Sequence, residues 1–274
     1  MIYPQNFEYK IGFDQIRQLL KDKCLSTLGE ERVEAMNFSD QFEEVETRLN
    51  LVTEFVRIIE EENNFPDQFF FDVRPSLKRI RVEGMYLDEQ ELFNFRRSLE
   101  TIRDIVHFFY VAGEEADTLY PNLKHLAGNI VVFPQLLIRI DAILDKYGKI
   151  KDKASPELAR IRQNLTHTIE TISRTLTNIL RNAQSEGYVE KDATSAVRDG
   201  RLVIPVSSGL KRKIKGIVHD ESASGKTAFI EPAEVVEANN RVRELEGEER
   251  REIIRILTEF SGVVRPLIPD VLQS

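Results

Sequence analysis

Tryptophan is absent from this 274-residue chain, and cysteine occurs once. A lone thiol, Cys24, can form neither an internal disulfide nor a cysteine zinc site. Histidine is scarce: His107, His125, His167 and His219 show no metal-ligand spacing such as H-x-x-x-H, so no metal site is expected. No apolar run approaches 18 residues, so no segment is expected to cross a membrane. The opening MIYPQNFEYK lacks both the basic start and the apolar middle of a secretory signal. These absences together predict a cytoplasmic protein.

What is abundant is charge. Charged residues make up 31% and hydrophobic residues 41%, with only 13 glycines and 10 prolines. Plentiful Leu, Ile, Glu and Arg with few breakers favour a helical protein with long solvated faces. The length suffices for one large or two medium domains. A formal net charge of −8 argues against a uniformly basic nucleic-acid binder. It leaves room for a local basic patch, because screened charges act over about 10 Å at 0.1 M salt.

Helical spacing dominates the first half. Phe13, Ile16, Leu19 and Leu20 mark one helix; Gly29 is expected to interrupt before a second through Val33 and Met36. "SDQFEEVETRLNLVTEFVRIIEEE" predicts an amphipathic helix capped by Ser39 or Asp40. Its apolar stripe is Val45, Leu49, Val52, Val56 and Ile59. A short helix around Leu77 to Ile80 follows. Next comes a strong one capped by Asp88, with Leu92, Phe95, Leu99, Ile102 and Val106 on its apolar face. Shorter helical stretches are expected over 119–126 and before a turn at Gly148. Ser155-Pro156-Glu157 then reads as a sharp helix start. Leu158, Leu165, Ile172 and Ile179 recur every seven residues, with Ile161, Ile169, Leu176 and Ala183 between them. This predicts a heptad-like seam about 45 Å long, ended by Gly187.

From Tyr188 to Pro232 the texture turns to β, in the short runs "GRLVIPV", "IKGIVHD" and "KTAFIEP". Helix returns after Pro232. Within it "EGEERRE" has no apolar residue, so that stretch must be solvated or partnered by charge. The expected fold is mainly α. A helical core over 1–150 precedes a lever- or clamp-like antiparallel helical pair over 151–262. The pair carries a small β unit at 188–232, and 263–274 are expected to return towards a further domain.

Two motifs invite chemical readings and fail them. Ser224-Gly225-Lys226-Thr227 ends like a phosphate loop, but the glycine needed five residues before Gly225 is Asp220. The following "TAFIEP" reads as a strand where a phosphate loop requires a helix, so a polar hairpin turn is expected. His219, Asp220 and Ser222 suggest a triad, yet strand alternation disperses them and no Gly-x-Ser-x-Gly elbow is present. No catalytic or cofactor-binding residue is therefore assigned.

One charge feature remains. Arg198, Arg201, Lys211, Arg212, Lys213 and Lys215 face only Asp199 between positions 198 and 216. At the far end of a helical pair such a cluster could touch nucleic-acid phosphates without reading bases. It could equally keep strand edges soluble and unpaired.

The segments "RDGRLVIPV", "IKGIVHDESASGKTAFIEP", "VVEANNRVRELEGEE" and "IKDKASPELARIR" resemble the type-2 branch of the bacterial MutS family, which lacks a mismatch-recognition domain. Family-like spacing extends from Phe13 onward. The resemblance implies the core, lever and clamp-like parts of a dimeric DNA-binding ATPase that acts on branched DNA and suppresses homologous recombination. It implies that the chain is a fragment, not itself an enzyme. An ATPase domain holding ATP and Mg, and then an Smr nuclease module, would follow Ser274. Some members of the family act on stalled or collided ribosomes, which leaves a ribosome-directed, partner-binding role as the alternative.

Overall fold

A computed structural model describes residues 6–111 and 119–274. It is mainly helical, with one four-stranded antiparallel sheet. The chain divides into two compact units. One takes residues up to Ile150 together with Leu257–Ser274, and the other takes Lys151–Ile256.

The first unit is built from helices α1 (Phe7–Lys10), α2 (Phe13–Lys21), α3 (Thr27–Glu34), α4 (Phe42–Glu61), α5 (Arg74–Arg79) and α6 (Glu89–Val111), then α7 (Pro121–Gly128) and α8 (Pro134–Ile143). Asp88 starts α6 with a reciprocal cap. Its Oδ1 accepts from Glu91 N at 2.8 Å, while Glu91 Oε2 accepts from Asp88 N at 2.9 Å. The predicted face of α6 is buried through Leu92, Phe95, Leu99 and Val106, with Ile102 half-buried. At the Gly148 turn Phe93 lies where a Cβ would stand, and the backbone takes φ +82°.

Three local expectations need correction. Gly29 does not break a helix: Ser26 caps α3 ahead of it, and the missing side chain leaves space for Cys24. The helix expected over 119–126 runs Pro121–Gly128, because Pro121 occupies its first turn. In α4 the cap position falls to Gln41, and Ser39 instead accepts from Gln41 N at 3.3 Å.

The amphipathic helix α4 turns its apolar stripe outward: Leu49, Val52 and Ile59 are 62%, 61% and 66% exposed. The buried residues are Glu54 and Ile58. Glu54 supplies the first turn of α7 with acceptors, taking Asn122 N at 3.1 Å, Asn122 Nδ2 at 2.6 Å and Leu123 N at 2.8 Å. A carboxylate against a helix N-terminus satisfies amides that have no partner within the helix. Ile58 joins Phe109, Tyr120 and Ala127 in an apolar cluster, around which Phe65 packs edge-on to Phe108 at 5.2 Å.

The second unit opens with α9 (Pro156–Ser185), capped as the sequence predicts: Ser155 Oγ accepts from Leu158 N at 3.0 Å. The helix ends at Gly187 (φ +75°) in a Schellman turn, with Tyr188 N donating to Ala183 O and Gly187 N to Gln184 O. Leu158, Ile161, Ile172, Leu176 and Ala183 are buried, whereas Ile169 of the expected seam is exposed. The sheet comprises β1 (Ala196–Arg198), β2 (Arg201–Ser207), β3 (Gly216–Glu221) and β4 (Thr227–Pro232), in spatial order β1-β2-β4-β3. From it α10 (Ala233–Val264) leads on, its residues from Leu257 grouping with the first unit, followed by α11 (Ile268–Gln273).

Within the second unit α9 and α10 run antiparallel. Ser155 Oγ donates to Glu252 Oε1 at 2.6 Å, and one to two turns later Arg162 meets Glu249 at 2.7 Å. Glu248 pairs with Arg241 at 3.1 Å. The stretch without apolar residues is thus partnered by charge, one of the two outcomes its composition allowed. Further along, Ile172, Leu176 and Ala183 pack with Val235, Val242 and the inward sheet residues Ile204, Val206, Ala228 and Ile230.

Candidate nucleic-acid interface

β1 and β2 join through Asp199-Gly200, both at positive φ (49° and 71°). That is the backbone of a type I′ hairpin turn, for which Asp-Gly is suited. The turn sets Arg198 opposite Arg201 in the ladder. After β2, Ser208–Lys213 form a 3-10 segment that delivers Lys211, Arg212 and Lys213, with Lys215 just before β3.

The six basic residues separate into two groups. Three are engaged. Arg198 pairs with Asp220 at 3.1 Å and lies 3.9 Å over the Phe229 ring. Lys211 pairs with Glu221 at 3.0 Å. Arg201, only 14% exposed, donates to Glu231 Oε1 at 2.6 Å and to Asn240 Oδ1 at 2.6 Å. The other three, Arg212, Lys213 and Lys215, are exposed and form no ion pair among the described residues. The sequence cluster is therefore half a structural fastening and half a free cationic surface.

A fourth free cation comes from the hairpin that resembles a phosphate loop. Gly225 takes φ +69°, its N donates to Ser222 O at 2.7 Å, and a strand follows. Ser208 bonds to this turn twice, donating from N to Lys226 O at 2.9 Å and from Oγ to Gly225 O at 2.6 Å. Exposed Lys226 is thereby tied to the start of the basic 3-10 segment. Sequence reading dismissed Lys226 as a nucleotide ligand and did not consider it as part of this surface. The β2–β4 pairing, which sets Thr227 opposite Ser207, returns the chain to Ser208.

The side chains that suggested a triad have separate partners. His219 Nε2 lies 2.6 Å from Glu231 Oε2, Asp220 pairs with Arg198, and Ser222 Oγ accepts from Thr227 N at 3.1 Å. The register shift between Val218 and Asp220 marks a bulge at His219.

Glu231 is the residue that sequence reading missed. It is fully buried and accepts from Arg201, from His219 and, at 2.8 Å, from Asn239 Nδ2. Asn239 also accepts from Leu202 N at 3.3 Å and donates to Leu202 O at 3.2 Å. Burial pushes the Glu231 carboxyl upward, but the bonds from His219, Asn239 and Arg201 outweigh it, so the pKa lies below the ordinary value. The segments "RDGR", "IVHD", "FIEP" and "EANN" each supply a member of this network. It fixes the sheet to the first turns of α10 and so holds the basic segment in place.

Among the described residues no group of three His, Cys, Asp or Glu side chains is placed to hold a metal ion, and no helix is long and apolar enough to cross a membrane.

The class defined so far is a helical protein whose second unit carries a small antiparallel sheet with a basic surface. Known proteins sharpen this. Endonuclease MutS2 of Geobacillus sp. (strain WCH70) is 36% identical over 264 residues, covering 96% of this chain and 33% of that protein. Endonuclease MutS2 of Enterococcus faecalis is 33% identical over 266 residues, with the same coverage of both chains. The Alkaliphilus oremlandii protein of that name is 30% identical over 264 residues. No protein-family model matches the chain. These likenesses support a MutS2-like family for a chain that spans about a third of the length of the curated relatives it matches.

Proposed function

We propose that this chain is the core, lever and clamp-like part of a MutS2-type DNA-binding ATPase, and that Ser208–Lys215 contacts the phosphate backbone. The observation that carries the reading is the free cationic surface of Arg212, Lys213 and Lys215 in a chain of net charge −8. Lys226, on the adjoining turn, extends it. Cations already neutralised by carboxylates would gain little from a phosphate; these four keep their full charge for one. Contacts of this kind are independent of base sequence, which suits a protein acting on branched DNA.

In this reading Arg198 and Arg201 act indirectly by bracing the sheet, and Lys211 exchanges Glu221 for a phosphate when nucleic acid arrives. The chain performs no chemistry of its own. ATP and Mg bind elsewhere in the longer homodimeric protein, whose nucleotide state reaches the β unit through the paired helices α9 and α10. Domain rotation about an interface is an established switching mode. The relatives' name, Endonuclease, points to a nuclease in the same longer protein. Its action there would suppress recombination in the cytoplasm.

The test is a gel-shift titration on a four-way junction and on duplex DNA from 50 to 200 mM salt. Replacing Arg212, Lys213 and Lys215 by Ala should weaken binding to both. Each lost phosphate contact should flatten the log–log salt slope by about 0.9. Unchanged affinity and slope would refute the assignment.

A further inference from the structure

We propose that the turn at 146–149 in the first unit is a second nucleic-acid contact, stacking an unpaired base on the Tyr147 ring with Lys146 and Lys149 at the flanking phosphates. The turn is firmly built. Leu144 and Ile150, both buried, form an antiparallel bridge beneath it. Asp145 N donates to Lys149 O at 2.8 Å, while Asp145 Oδ1 accepts from Tyr147 N at 2.8 Å and from Lys149 N at 2.9 Å. Arg96 of α6 holds the foot of the turn, donating to Asp145 O at 3.0 Å and pairing with Asp141 at 3.0 Å.

The turn needs Asp145 for its acceptors and Gly148 for its left-handed backbone; from position 147 it takes only the N–H. Yet that position carries a tyrosine, 73% exposed, with the Lys146 ammonium 4.8 Å from its ring centroid. Lys146 and Lys149 are exposed, and neither forms an ion pair among the described residues. A protein-binding hot spot sets its tyrosine in an apolar, desolvated surround. Here the flanks are two lysines, and the nearby Leu144 and Ile150 are turned inward. An exposed ring between free cations suits a single strand, because every base offers a π face to stack and its phosphates lie within reach of lysine. In a duplex that face is already stacked on the next base pair. The contact therefore selects single-stranded stretches and the open bases of branch points. It deepens the DNA-binding reading above and rests on it, adding which part of a branched substrate is gripped.

The experiment titrates the 274-residue chain, by fluorescence anisotropy, against a labelled deoxythymidine oligonucleotide and against a duplex of the same length. Tyr147→Ala should weaken single-strand binding at least about fivefold, with the salt slope and duplex binding unchanged. Tyr147→Phe should bind as the parent does, because stacking uses the ring and not the hydroxyl. Lys146→Ala and Lys149→Ala should each flatten the single-strand salt slope by about 0.7. All three positions are exposed, so far-ultraviolet circular dichroism should match the parent. Parent-like single-strand affinity in Tyr147→Ala, an equal loss on duplex, or a Tyr147→Phe variant as weak as Tyr147→Ala would each overturn the proposal. The Arg212, Lys213 and Lys215 variant is read on duplex DNA. A parent chain that grips duplex but not the oligonucleotide refutes this turn alone, and a Tyr147 effect without loss in the charge variant refutes the basic segment alone.

Discussion

Removing the Glu231 carboxylate should loosen the β unit locally. Glu231→Ala leaves the Arg201 guanidinium, His219 and Asn239 without their shared acceptor in a site where Glu231 itself is fully buried. Breaking a buried ion pair from one side costs about 3–5 kcal/mol. Arg201 keeps its bond to Asn240 and some solvent contact, which places the loss near the lower end, about 3 kcal/mol. Glu231→Gln keeps the volume and one acceptor oxygen but loses charge assistance, for a cost of about 1.5 kcal/mol. The chain has two units, so a global melt would mix them; native-state hydrogen exchange at Val206 and Ile230 isolates the sheet. Opening should become about 150-fold easier in Glu231→Ala and about tenfold easier in Glu231→Gln. Rates within threefold of the parent in both variants would refute the view that this network holds the sheet. There is also a pH signature. Because the folded-state pKa is lowered, the carboxylate contributes stability above its ordinary value near 4.5, and that contribution is lost as pH falls through the depressed folded value. Protection at Ile230 should therefore drop in that acid window in the parent, and much less in Glu231→Gln.

Other positions give independent checks. Gly216→Ala would place a Cβ 2.1 Å from the Glu231 carbonyl oxygen, so β3 should detach from β4 and become a site of limited proteolysis. Ser155→Ala removes both the cap on α9 and the bond to Glu252, and should lower stability to denaturant in the second unit by about 1–2 kcal/mol. Glu54→Ala strips the acceptors from the first turn of α7 and should cost about 2 kcal/mol, read as faster exchange at Asn122 and Leu123. Lys226→Ala should leave nucleotide titrations unchanged while slightly weakening DNA binding; loss of tight ATP binding in that variant would reinstate the phosphate-loop reading.

The long elements were legible because they rest on local rules. Ser155-Pro156-Glu157 and Asp88 with Glu91 are cap signals whose chemistry is complete within four residues, and both operate in the structure. Gly187 and Gly225 stand where a left-handed backbone is needed. The basic cluster was legible as a count but not as a surface. Whether Arg201 or Lys213 is free depends on carboxylates that lie far off in sequence, at Glu231 in one case and nowhere among the described residues in the other.

The sequence by itself determined the start of α6 at Asp88, the start and end of α9, the hairpin at Gly225 and the small sheet. Each of these follows from backbone conformation, capping and side-chain period over a few residues. Tertiary structure alone decided which face of a helix is inside and which charges are neutralised. In α4 the period gave the stripe but not its direction: the inner face carries Glu54, which accepts from the first turn of α7, and Ile58, which joins the apolar cluster, while the stripe faces outward. In the sheet, Arg201, His219, Glu231 and Asn239 are separated by 8 to 18 residues from one to the next, and no local rule joins them. A buried carboxylate must gather its donors from wherever the fold supplies them.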